Sequence, residues 1–64
     1  MKIDEKLLGK RILYRLYGFI REGIVKEISP NGEYVKIKNK HYEEWYHISD
    51  IWVLDILESK DGTR

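Results

Sequence analysis

The side chains that could do chemistry fall into three groups. His41 and His47 are the two histidines, with Glu43 and Glu44 between them. On one strand His41, Glu43 and His47 share parity and project to the same side. A metal ion would need further ligands, and this spacing matches no established set. Ser49 lies two residues from His47, the closest approach to a nucleophile beside a base. It reads better as the cap of a short helical turn. Glu43 and Glu44 are adjacent, so a strand sends them to opposite faces, which is wrong for paired acid–base work. Cysteine is absent, which removes thiolate ligands, thiol nucleophiles and disulfides. The sequence therefore predicts no catalytic residues, no metal site, no cofactor and no enzyme.

The second group is basic. Residues 10–40 carry eight Lys and Arg against three Glu, a net of +5, whereas residues 41–64 carry a net of −4. If Val35 and Ile37 point inward, then Tyr34, Lys36 and Lys38 point outward, with Lys40 just beyond. Lys26 falls on the neighbouring strand and shares that outer face. One ring among four ammonium groups suits a phosphate backbone with one stacked base or sugar. Attraction of this kind is weak, salt-sensitive and poorly sequence-specific.

The third group is aromatic. Five Tyr, two Trp and one Phe are many for so short a chain. A small β protein needs large side chains inside, and Tyr14, Trp45 and Trp52 are the core candidates.

These groups must be positioned by a single domain. The chain has 64 residues, too few for a two-lobed cleft. Nine Ile and no Ala argue for a sheet rather than helices. No apolar run approaches the roughly 20 residues that span a bilayer, and the first ten residues lack the features of a secretory signal. The expectation is a soluble, cytoplasmic protein that does not enter membranes.

Ser29-Pro30-Asn31-Gly32 is the strongest turn signal. Pro presets the first central position, Asn tolerates the second, and Gly supplies the positive φ that follows. It joins the strand runs Ile20–Ile28 and Glu33–Lys38. Lys10–Leu16 alternates as a period-2 strand, and Tyr17-Gly18-Phe19 reverses it. Asn39-Lys40 is another turn, Glu43–His47 a short strand, Ile48-Ser49-Asp50 a helical turn, and Ile51–Leu57 a last strand. Residues 2–8 are either a helical turn or an extended lead-in, and the polar tail 58–64 frays. Gly23 and Val25 share a face, but Ile28 does not unless a bulge falls near Lys26-Glu27. Gly23 then marks a bend or a close backbone approach. Five strands, one bent, predict an all-β, five-stranded small barrel with a short helical turn before the last strand. Closure would also remove exposed edges.

Gly9-x-x-Ile12, Glu22-Gly23-x-Val25-x-x-Ile28, Tyr34-Val35-x-Ile37, Trp45-Tyr46 and Ile48-x-Asp50-Ile51 resemble the SH3-like small barrels of the Tudor and KOW type. The resemblance covers about residues 9–57. It implies a binding module for nucleic acid, peptides or methylated side chains. It also implies an aromatic cage, for which Tyr14, Tyr17 or Phe19, and Tyr46 match loosely, with Asp50 or Glu44 as the anion. The chain departs from that pattern after the third strand, where it has Lys38-Asn39-Lys40.

The leading expectation is a non-catalytic module that holds DNA or RNA through Lys26, Tyr34, Lys36, Lys38 and Lys40. One alternative is a protein-interaction module. Trp52 and Leu54 alternate with Ile51 and Val53, so both faces of the last strand are apolar. Leu7, Leu8 and Leu13 would cover the second face, or else a partner or another copy would. The other alternative is cage binding of a cationic side chain.

Overall fold

The computed structural model describes residues 1–58; of the predicted tail 58–64, Glu58 instead belongs to the last strand, and residues 59–64 lie outside the described residues. Five strands follow one another: β1 (Arg11–Leu16), β2 (Phe19–Ile28), β3 (Tyr34–Lys38), β4 (Glu43–His47) and β5 (Ile51–Glu58). Short 3-10 turns at Glu5–Leu7 and Ile48–Asp50 are the only helical elements among the described residues. All strand pairs are antiparallel, in the order β4-β3-β2-β1-β5. No described helix is long and apolar enough to cross a membrane.

Alternation builds β1, as its spacing requires. Ile12, Tyr14 and Leu16 are buried while Arg11 and Arg15 are exposed. Leu16 pairs with Phe19, so Tyr17-Gly18 forms a two-residue hairpin. Their φ values of 51° and 86° suit a type I′ turn, whose twist matches the flanking strands. Tyr17 is the one non-glycine residue in the left-handed region among the described residues, a conformation that costs an L residue about 1 kcal/mol. Its hydroxyl donates to Asp50 Oδ2 at 3.3 Å, which tethers the turn to the segment before β5.

β2 is the long strand and pairs on both sides. A Cβ on Gly23 would stand 2.6 Å from Ile37 Cγ2 and 3.0 Å from the Lys38 carbonyl oxygen. The close approach expected of Gly23 is present, and only glycine fits it. The register slips between Val25 and Glu27, leaving Lys26 as the extra residue of a bulge. Gly23 and Val25 are buried and Ile28 is half-buried, the inward set that the bulge was expected to produce. The Ser29–Gly32 turn closes with Gly32 N–H donating to the Ser29 carbonyl at 2.9 Å. Asn31 Oδ1 accepts from Glu33 N–H at 3.0 Å, and Ser29 Oγ accepts from Tyr34 N–H at 3.0 Å. In the β3–β4 loop Asn39 Oδ1 takes the N–H groups of His41 and Tyr42.

The lead-in is a 3-10 turn. Asp4 caps it by accepting from Lys6 N–H at 2.9 Å, and Leu7 is buried beneath it. Before it, Met1 pairs with Val53. The Met1 amino group donates to the Val53 carbonyl at 2.9 Å, and Val53 N–H donates to the Met1 carbonyl at 2.8 Å. This contact covers part of the outer edge of β5.

Two expectations are corrected. The sheet does not close: no ladder joins β4 to β5, so these remain its edges. The edge hazard is met instead by Met1 on β5 and by the short, charged Glu43-Glu44 end of β4. Nor are Trp45 and Trp52 core residues. They are 45% and 53% exposed, because Trp45 stands opposite the outward Lys36 and Trp52 opposite the outward Arg15. Aliphatic side chains fill the interior in their place: Ile3, Leu7, Ile12, Leu16, Val25, Val35, Ile37, Ile51 and Val53 around Tyr14. Each contributes about 1.5–3 kcal/mol when fully buried.

Candidate nucleic-acid interface

Val35 and Ile37 are buried, at 0% and 1% exposure. Their neighbours Tyr34, Lys36 and Lys38 therefore face outward, as the parity of β3 requires. Sharing a face does not place them in one site. The bulge at Lys26 sets Glu27, not Lys26, opposite Lys36. Lys36 Nζ consequently lies 4.0 Å from Glu27 Oε2 and 3.7 Å from Glu43 Oε2. It also sits 5.4 Å from the Trp45 ring centroid. Two carboxylates and an indole hold this ammonium, so its charge is neutralised locally. Tyr34 packs edge-on against His47, with centroids 5.1 Å apart and planes at 83°. Tyr34 and Lys36 thus belong to a packed patch on the β3–β4 side.

The other three expected lysines converge. Lys26, Lys38 and Lys40 line a groove of about 550 Å³ together with Arg11, Glu22 and Ile24. The sheet register explains this. Arg11 pairs with Ile24, and Ile24 pairs with Lys38, which puts the three in one row across β1, β2 and β3. Lys26 bulges from β2 beside that row, and Lys40 reaches in from the loop after β3. Among the described residues no carboxylate lies within ion-pair distance of Lys26, Lys38 or Lys40. The one acid in the lining, Glu22, is bound by Arg11 at 2.8 Å. Sequence reasoning missed Arg11. Its outward parity on β1 was visible, but its place beside Lys38 depends on how three strands align.

The aromatic residues matched to a cage are distributed differently. Tyr14 is wholly buried, and its hydroxyl has no hydrogen-bond partner. Burial pushes its phenol up to about 12; the negative charge of Tyr46 and Tyr42, once ionised, pushes the same way, and the Arg21 charge opposes them. Tyr46 is half-buried and also raised, first by burial and then by Glu44. Tyr17 is held by Asp50, whose charge raises its phenol. Phe19 is exposed, but the Arg21 guanidinium carbon lies 6.0 Å from its ring centroid. Arg21 Nη1 also donates to the Tyr42 hydroxyl at 2.6 Å. The structure brings Tyr17 to Asp50 and Phe19 to Arg21, while Tyr14 belongs to the core. A cation of the chain itself stands against the ring that a guest cation would use.

His41, Glu43 and His47 do not meet as a ligand set. His41 is in the loop, Glu43 bonds Lys36, and His47 caps the second 3-10 turn. No group of three potential ligands is placed to hold a metal ion among the described residues. Ser49 was expected to cap that turn, but the roles are reversed: His47 Nδ1 accepts from Ser49 N–H at 3.1 Å. The same nitrogen lies 2.8 Å from Ser49 Oγ. Nδ1 thus caps the turn by accepting the Ser49 N–H, and the Ser49 hydroxyl rests against the same nitrogen.

No family model matches this chain, and neither the curated proteins nor the solved structures offer a similar one.

Proposed function

We propose that this chain is a non-catalytic binding module, an open five-stranded relative of the SH3-like small barrels, that holds nucleic acid by its phosphate backbone. The strand order, the close approach of β3 at Gly23 and the 3-10 turn before β5 support the fold reading. The single observation that carries the functional reading is the groove lined by Arg11, Lys26, Lys38 and Lys40, whose one acid is bound by Arg11. Three ammonium groups without carboxylate partners among the described residues, on a concave surface, concentrate positive potential where a polyanion can reach it. Of the residue types that read base edges, the groove lining holds Asn39, whose Oδ1 already accepts from the His41 and Tyr42 N–H groups, and Arg11, which binds Glu22, so contact is chiefly to phosphate and sequence preference is slight.

Titration of labelled DNA and RNA by fluorescence anisotropy tests this reading. If three lysines each neutralise a phosphate, the slope of log K against log salt for a duplex is about −3. Lys38→Glu with Lys40→Glu abolishes the binding while the circular dichroism spectrum is kept. Absence of binding at low salt, or indifference to that double variant, refutes the proposal.

A further inference from the structure

We infer that the preferred ligand of this face is single-stranded nucleic acid, anchored by one base stacked on Trp52; this rests on the phosphate-binding reading of the groove. The outer face of β1 and β2 continues from the groove to the opposite end of the sheet. There Trp52 pairs with Arg15, and Arg15 pairs with Ile20, in one row across β5, β1 and β2. Trp52 is 53% exposed and Ile20 59% exposed. Arg15 and Arg11 stand four residues apart on the same side of β1, or about 13 Å at about 3.3 Å per residue. That span suits a few nucleotides of extended strand.

The two indoles are in different states. Trp45 already has the Lys36 ammonium against its ring. Trp52 has no ring or cation partner of this kind among the described residues, and Arg15 beside it has no carboxylate. An accessible indole next to an unpaired guanidinium takes a base on its face and the adjoining phosphate on the cation. Between this pair and the groove lie half-buried Leu13, Glu22, which Arg11 binds, and Asp55 opposite Leu13. A duplex keeps its base faces stacked on one another, so only an unpaired strand can use Trp52 and the groove together.

The test uses the Trp45→Phe variant, in which Trp52 is the sole tryptophan. A homothymidine strand should quench its emission, while a duplex of the same length should not. Trp52→Ala should weaken single-strand binding about tenfold and leave duplex binding unchanged. Trp52→Phe, which keeps a ring, should recover most of the loss. The inference is overturned if the single strand binds with Trp52 emission and the Trp52→Ala affinity unchanged, or if the duplex binds more tightly. Either result leaves the groove standing. Failure of both nucleic acids to bind, or binding indifferent to Lys38→Glu with Lys40→Glu, removes the groove reading itself.

Discussion

Lys36 and Lys38 sit two residues apart on one strand and point to the same side, yet they stand in opposite electrostatic settings. Lys36 lies between Glu27 and Glu43 and against Trp45. Lys38 opens onto a groove with Lys26 and Lys40. Alternation decides which face a side chain takes. The strand alongside decides whether its charge is spent on the protein or offered to a ligand. Here a single inserted residue makes the difference. With unbroken pairing after Val25 and Ile37, Lys26 would stand opposite Lys36, a like-charge pair that costs stability. The bulge replaces that pair with Glu27 opposite Lys36 and moves Lys26 toward Lys38.

The largest expected effect comes from removing the close approach beneath both regions. Gly23→Val drives a branched side chain into Ile37 Cγ2 and the Lys38 carbonyl. Overpacking of this kind costs about 3 kcal/mol. Chemical denaturation should show that loss, and a midpoint unchanged from the parent chain would mean that β2 and β3 can separate cheaply.

A second effect concerns the inner face, where a charge has no compensation. The Tyr14 phenol is raised to about 12 from 10.0, mainly by burial. A group whose pKa is higher when folded holds its proton more tightly in the native state. Its contribution is full below pH 10 and is lost as pH rises toward 12. At about 1.36 kcal/mol per pKa unit, the loss is about 3 kcal/mol. Tyr14→Phe should flatten this alkaline decline. It should not weaken the fold at neutral pH, because it removes a buried hydroxyl that has no partner. A steep alkaline transition that survives in Tyr14→Phe would assign it to another group.

Charge reversal tests the lysine contrast directly. Lys38→Glu should weaken polyanion binding about tenfold, near 1.4 kcal/mol, with little change in stability. Lys36→Glu should do the reverse, costing about 1 kcal/mol through repulsion from Glu27 and Glu43 and barely moving affinity. Equal losses of affinity at both positions would erase the distinction. The smallest effect sharpens it. Glu27→Gln with Glu43→Gln should release Lys36 and steepen the salt slope by about 0.9, one extra phosphate contact.

Much of this was legible in the chain. The Ser29–Gly32 turn, the alternation of β1 and β3 and the bulge could be read because each depends on local backbone preference or on a period of two. Val35 and Ile37 fixed the outward direction of their neighbours for the same reason. The membership of the site could not be read this way. The pairing of Lys36 with Glu43 needs the β3–β4 register, and the place of Arg11 beside Lys38 needs three strands aligned. The tryptophans misled because ring size suggested the core. Their parity, opposite Lys36 and Arg15, placed them outside.

The Lys26 bulge has a consequence for how this chain can change. Without that one residue the ladder would run Val25, Glu27, Ile28 against Ile37, Lys36, Val35, with every remaining side chain still on its present face. A one-codon deletion would therefore cost the groove one of its cationic fingers, and some of the strand's twist, without scrambling the interior. The strand can gain or shed positive charge on its outer face by changing its length rather than its composition.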